Sequence, residues 1–138
     1  MSLRLRFRAL ELLLAFAVTF AGFWVGGTPA LDREYVAVSL NGRPFEDGSR
    51  ILRISRDGVR MYRLAAQAGC NAFSSTVTLL PFGLSATTYS GVTLMYCQGR
   101  MEIEKEYFDA LATTLHWRIT AERLTFAGFK GVMHLELR

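Results

Sequence analysis

The stretch RILRISRDGVRMYRL, residues 50–64, decides the fold class. Leu52 and Ile54 fall on one face of an extended chain and Arg53 on the other, the period of two of a half-buried strand. Asp57-Gly58 follows, a dipeptide that accepts the positive φ angles of a tight hairpin turn. Val59 and Met61 then alternate with Arg60, so the whole stretch reads as a hairpin.

The same rhythm extends in both directions. YVAVSLNG (35–42) alternates Val36, Val38 and Leu40 with smaller partners and stops at Asn41-Gly42. TVTLL (76–80) and GVTLMYC (91–97) read as two further strands parted by Pro81-Phe82-Gly83, and HWRI, RLTF and VMHLEL follow near the end. One stretch departs from the pattern: MEIEKEYFDALATTL (101–115) spaces Ile103, Tyr107 and Leu111 four apart, with Phe108 and Leu115 beside them. That is an apolar helix stripe, and Glu102, Glu104 and Glu106 in its first turns suit the helix dipole. The expected fold is therefore mainly β (α+β): a curled antiparallel sheet or partial barrel with one packed helix, preceded by an N-terminal signal or anchor helix.

That N-terminal helix rests on residues 1–30. Arg4, Arg6 and Arg8 precede an apolar run from Leu12 to Gly27, the order in which the secretion machinery reads basic and apolar residues. Thr28 and Ala30 supply small residues for cleavage after Ala30. Glu11 sits at the start of the run, where a carboxylate can stay at the bilayer interface. A run of sixteen residues is slightly short of a comfortable span. Residues 1–30 thus read as a signal peptide or membrane anchor and 31–138 as one domain. The product is periplasmic or secreted, or else held at the inner membrane through residues 9–27. The export signal also explains half of the formal charge of +4, since its three arginines face one glutamate. The remaining domain is nearly balanced, which argues against nucleic acid as a partner.

The chain holds two cysteines, Cys70 in AGCNAF and Cys97 in VTLMYC. In an oxidising compartment they invite one disulfide, closing a loop of about 28 residues for about 3.5 kcal/mol in the chain-entropy model. Two reduced, buried thiols are the alternative, and spacing does not choose between them. Zinc held by Cys70, Cys97, His116 and His134 lacks the short paired spacing of structural zinc sites, and His134 falls on the face opposite Met133, Leu135 and Leu137. A nucleophilic cysteine would need an adjacent base that the sequence does not identify. Gly69 and Asn71 instead make Cys70 part of a turn. Arg50, Arg53, Arg56, Arg60 and Arg63 form either a ridge for anionic lipid or an acidic partner, or a solvated edge that discourages aggregation. No phosphate loop, dinucleotide fingerprint, nucleophile elbow or zinc-protease motif is present, and the sequence singles out no catalytic, cofactor-binding or metal-ligating residue.

The ordered combination GCNAF, VTLMYC and EKEYFDAL resembles the META/HslJ family across roughly residues 35–137. Gly69, Cys70 and Asn71 match that family's GCN turn; Thr93, Met95 and Cys97 match its T-x-M-x-C strand; Glu106 and Leu111 match its helix. Tyr35, Ala66 and Ser75 depart from the residues usual at their positions. The resemblance implies a small β domain of the bacterial envelope, linked in some members to heat shock or antibiotic tolerance, with structural motif residues and Cys70 facing Cys97. The expected function is a non-enzymatic, monomeric binding or scaffold domain whose partner is an envelope protein or lipid. The alternative is a carrier of apolar ligand or lipid, with Phe73, Phe82, Trp117, Phe126 and Phe129 lining a cavity.

Overall fold

The computed structural model describes residues 31–120 and 122–138. The signal or anchor helix and the cleavage after Ala30 lie outside the described residues. In chain order the elements are β1 (Glu34–Leu40), β2 (Arg43–Pro44), β3 (Arg50–Arg56), β4 (Met61–Ala68), β5 (Ala72–Leu79), a 3-10 turn (Pro81–Gly83), β6 (Ser85–Val92), α1 (Met101–Ala112), β7 (Thr114–Ile119), β8 (Arg123–Gly128) and β9 (Gly131–Leu137).

Eight strands form one antiparallel sheet in the order β6-β5-β4-β3-β1-β9-β8-β7, with the short β2 paired to β1. The sheet curls until its outer strands approach each other. Leu84, just ahead of β6, bridges His116 of β7. Ser85 Oγ donates to the Thr114 carbonyl at 3.4 Å. The result is a nearly closed barrel, as the alternation predicts.

Its interior is packed with side chains. Tyr62, Leu64, Ala66 and Ala68 point inward from β4, Leu52 and Ile54 from β3, and Leu124, Phe126, Met133 and Leu135 from β8 and β9. Trp117 stacks on Phe126 with ring centroids 4.5 Å apart. Helix α1 leaves β6 and re-enters the sheet at β7, and it stoppers that end of the barrel by burying Tyr107, Phe108, Ala110 and Leu111. Burial pushes the Tyr107 phenol pKa upward, and the neutral hydroxyl donates to the Ile51 carbonyl at 3.1 Å. Among the described residues no helix is long and apolar enough to cross a membrane.

Several expectations need correction. In β1 the buried residues are Tyr35, Ala37 and Leu40, whereas Val36 and Val38 are half-buried on the outer side. A bulge between Ala37 and Ser39 in the pairing with β9 returns Leu40 to the interior. In the second arm of the decisive hairpin Tyr62 points inward and Met61 outward. Arg50 is buried over the Phe45 ring, its guanidinium carbon 3.9 Å from the centroid, so it is not part of the ridge. Arg53 and Arg63 on that face pair with Glu34 and Asp57. GVTLMYC is a strand only through Gly91-Val92; Thr93–Cys97 lies outside any strand. The strand there is the more polar SATTYSGV, paired along β5 from Leu79↔Ser85 to Phe73↔Val92. Phe82 and Phe129 are exposed, so of the five aromatics suggested for a cavity only Phe73, Trp117 and Phe126 face the interior, where they are core.

Candidate functional site

The site grows from the turn between β4 and β5. Gly69 takes φ +106, a value that L side chains rarely adopt, and the flank of Arg100 packs against its open side. The chain then presents the backbone amides of Cys70 and Asn71 in the same direction. Both donate to Glu104 Oε1 on the first turn of α1, at 2.9 and 2.8 Å. The Asn71 side chain completes the clamp, with Nδ2 donating to Glu104 Oε2 at 2.7 Å.

Asn71 also holds the segment that leads into the helix. Its Nδ2 donates to the Met95 carbonyl at 2.7 Å, and its Oδ1 accepts from the Met95 amide at 2.7 Å. Thr93 Oγ1 donates to the same Oδ1 and accepts from the Ala72 amide, both at 2.9 Å. An asparagine side chain has two donors and one double acceptor. Here every one is used, in a residue only 3% exposed. The ladder ends where the Thr93 amide donates to the carbonyl of Ala72, the first residue of β5. Beyond it the Met95 amide and carbonyl are both taken by the Asn71 side chain, which is the physical reason VTLMYC is not a strand. A disulfide between Cys70 and Cys97, with α-carbons 6.2 Å apart, closes the frame.

Glu104 is 3% exposed, unusual for a carboxylate, and among the described residues it forms no salt bridge. Burial alone would raise its pKa. The bonds from the Asn71 side chain, from the Asn71 and Cys70 amides, and the Arg100 charge outweigh burial and set the pKa below the ordinary glutamate value. The carboxylate is therefore an ionised structural tie.

The frame sets up a groove. With their backbone pinned, Leu94, Met95 and Tyr96 are largely exposed, Leu94 at 88% and Tyr96 at 80%. Phe73, Val92, Leu94, Tyr96, Met101 and Phe108 line a cavity of about 470 Å³ between this segment and α1, with Glu102, Lys105 and Asp109 also on its walls.

The predicted site residues Gly69, Cys70, Asn71, Thr93, Met95 and Cys97 thus meet in one place. Glu104, which joins them, is the residue the sequence reading did not single out; its only signal was membership of an acidic first turn. The four residues weighed for zinc are employed otherwise: both cysteines form the disulfide, His116 Nε2 lies 3.1 Å from the Phe82 carbonyl, and His134 Nδ1 lies 3.1 Å from Thr125 Oγ1. Among the described residues no group of three or more His, Cys, Asp or Glu could hold a metal ion.

Fold and site together define a class: small antiparallel barrels with a helical stopper and a Gly-Cys-Asn turn bound to that helix. The chain belongs to the META domain family, whose model matches residues 29–136. It is also similar in fold to a protein solved by NMR, with a TM-score of 0.55 at 20% identity over 78% of this chain and 90% of the other. A search of curated proteins finds no match. The disulfide places the domain in an oxidising compartment outside the cytosol.

Proposed function

We propose that the chain is an exported, non-catalytic binding domain of the bacterial envelope that receives an apolar segment of an envelope protein in the groove beside α1. One observation carries this reading. The backbone of Thr93–Cys97 is fastened by the bonds to Asn71 and by the disulfide, yet its side chains Leu94, Met95 and Tyr96 stand in solvent. A segment held this firmly loses little conformational freedom when it binds, which favours affinity. Glu102 and the ionised Glu104 bring negative charge to the groove, so the preferred segment combines apolar side chains with a basic one. The stress or antibiotic-tolerance role that the resemblance implies belongs to this proposal and rests on kinship alone, while residence in the periplasm draws also on the export signal read in residues 1–30 and on the disulfide.

The second reading, a carrier of apolar ligand, is favoured by the size of the groove, which lies within the range of ligand pockets. It places the ligand outside the barrel, because the interior is occupied by core side chains. A photoreactive residue at Leu94 or Tyr96, activated in living cells, separates the two. The protein-partner reading predicts one discrete heavier adduct from both positions and none from Thr76 on the outer face of β5. A lipid-sized mass increase instead supports the carrier, and equal labelling at Thr76 contradicts both.

A further inference from the structure

The end of the barrel away from α1 has a different character. Two turns lie side by side there: Asp57–Arg60 between β3 and β4, and the 3-10 turn between β5 and β6. They are joined where the Leu79 amide donates to the Arg60 carbonyl at 2.8 Å. Both tips are apolar and exposed, Val59 at 85% and Phe82 at 79%, with Met61, Leu80 and Leu84 exposed around them. Phe82 takes φ +64, where a bulky side chain is uncommon and strained. The turn therefore accepts strain at the residue whose ring it presents to solvent.

Charge gives this end its direction. Around the tips Arg33, Arg53, Arg56, Arg60 and Arg63 outnumber Asp32, Glu34 and Asp57, although Arg53 pairs with Glu34, Arg63 pairs with Asp57 and Asp32 lies near Arg56. The helix end exposes apolar groups as well, at Leu94 and Tyr96, but the groove they line carries Glu102, Glu104 and Asp109 against Lys105, a balance that an anionic surface repels. The chain also enters the barrel at the tips' end: Leu31 is buried there and the Arg33 carbonyl accepts from the Ile54 amide at 3.0 Å. In sequence, Leu31 lies just after the apolar run Leu12–Gly27, so this end is the one tethered nearest to any bilayer that takes up the run.

We propose that this end of the barrel rests on a bilayer containing anionic lipid, with Val59 and Phe82 entering the headgroup layer and Arg56 and Arg60 facing lipid phosphates. Apolar insertion and basic attraction add in such surface binding, and each alone is weak. Docking this way turns α1 and its groove away from the membrane and toward partners, although the proposal does not depend on the groove having one.

The full chain, mixed with vesicles of phosphatidylcholine alone or of equal parts phosphatidylcholine and phosphatidylglycerol, provides the test. Hydrogen–deuterium exchange is read locally, so that insertion of residues 12–27 does not mask the answer. Exchange in 57–61 and 80–84 is expected to slow about tenfold on the anionic vesicles only, with the 41–48 loop unchanged. The double variant Val59→Ser/Phe82→Ser, shown to be folded by an unchanged thermal midpoint, is expected to lose that protection; Arg56→Gln/Arg60→Gln is expected to lose most of it. Unaltered exchange at both tips overturns the proposal, as does equal protection on neutral vesicles. Protection that appears without lipid and rises with protein concentration also overturns it, by showing that copies of the chain meet at this end.

Discussion

Asn71 and Glu104, 33 residues apart, are joined twice: the Asn71 amide donates to Oε1 at 2.8 Å and the Asn71 side chain donates to Oε2 at 2.7 Å. Replacing the carboxylate with an amide of the same shape tests the tie. In Glu104→Gln the NH2 must face either the Asn71 NH2 or the Cys70 and Asn71 backbone amides, donors in both cases, and Asn71 cannot turn over without surrendering its bonds to Met95 and Thr93. A loss of about 1–3 kcal/mol in denaturant unfolding is expected. Glu104→Ala strands three donors, and its loss is expected to exceed that of Glu104→Gln.

The same carboxylate contributes a pH dependence of definite sign. Its folded pKa lies below the ordinary value of 4.5. Its ionisation therefore adds stability in full above the unfolded value, and that stability disappears as pH falls through the folded one. Unfolding of the wild type and of Glu104→Gln, followed from neutral pH into acid, should show the gap between them narrowing below about pH 4. A constant gap would mean that the Glu104 pKa is the same in the folded and unfolded protein, and a gap that widens in acid would mean that the folded value is raised.

Reduction of the disulfide between Cys70 and Cys97 releases a loop with a sequence separation of 27. A loss of about 3.5 kcal/mol is expected on the chain-entropy account, the same for Cys70→Ser, Cys97→Ser and the double variant. Thiol alkylation before and after reduction checks the premise: the native, oxidised protein should present no reactive thiol. Losses that differ widely between the single variants would point to separate roles.

Gly128 is required by a close approach. A Cβ there would sit 2.0 Å from the Thr113 carbonyl oxygen, where α1 passes into β7. Backbone on both sides leaves nothing flexible to move, so Gly128→Ala is expected to cost about 3 kcal/mol or more. Gly42 has no neighbour within 4 Å of the corresponding position, but its φ of +77 makes alanine strained there also, at about 1 kcal/mol. Thermal denaturation of the two variants should rank them in that order.

Much of this architecture was legible in the residues. Leu52 and Ile54 against Arg53 mark the first arm of the hairpin and the four-residue spacing from Ile103 to Leu111 marks the helix, whereas Asp57-Gly58 marks only where the hairpin turns: neither residue takes a positive φ, and the turn runs on to Arg60. The GCN segment could be recognised as a turn because Gly69 tolerates unusual backbone angles; Asn71, read the same way, takes no positive φ and acts through its side chain instead. What escaped depends on tertiary contact. Nothing local separates Glu104 from Glu102 and Glu106; only the arrival of the Cys70 and Asn71 amides does so. Val36 and Val38 look like core beside Tyr35 and Ala37 until the sheet's curl and its bulge decide which face is inner. VTLMYC has the composition of a strand, and it is Asn71 that diverts its backbone. SATTYSGV lacks an apolar alternation and is a strand because β5 pairs with it.

The central claim is that the Asn71–Glu104 tie and the disulfide hold Thr93–Cys97 as a rigid ledge. Amide exchange at Met95, resolved by NMR in the oxidised protein, tests it most directly, since that amide donates to the Asn71 side chain and to no strand. The account predicts that Met95 exchanges only with global unfolding in the wild type, and orders of magnitude faster in Glu104→Gln at unchanged overall fold. Rapid exchange at Met95 in the wild type, or equal protection in the variant, would contradict it.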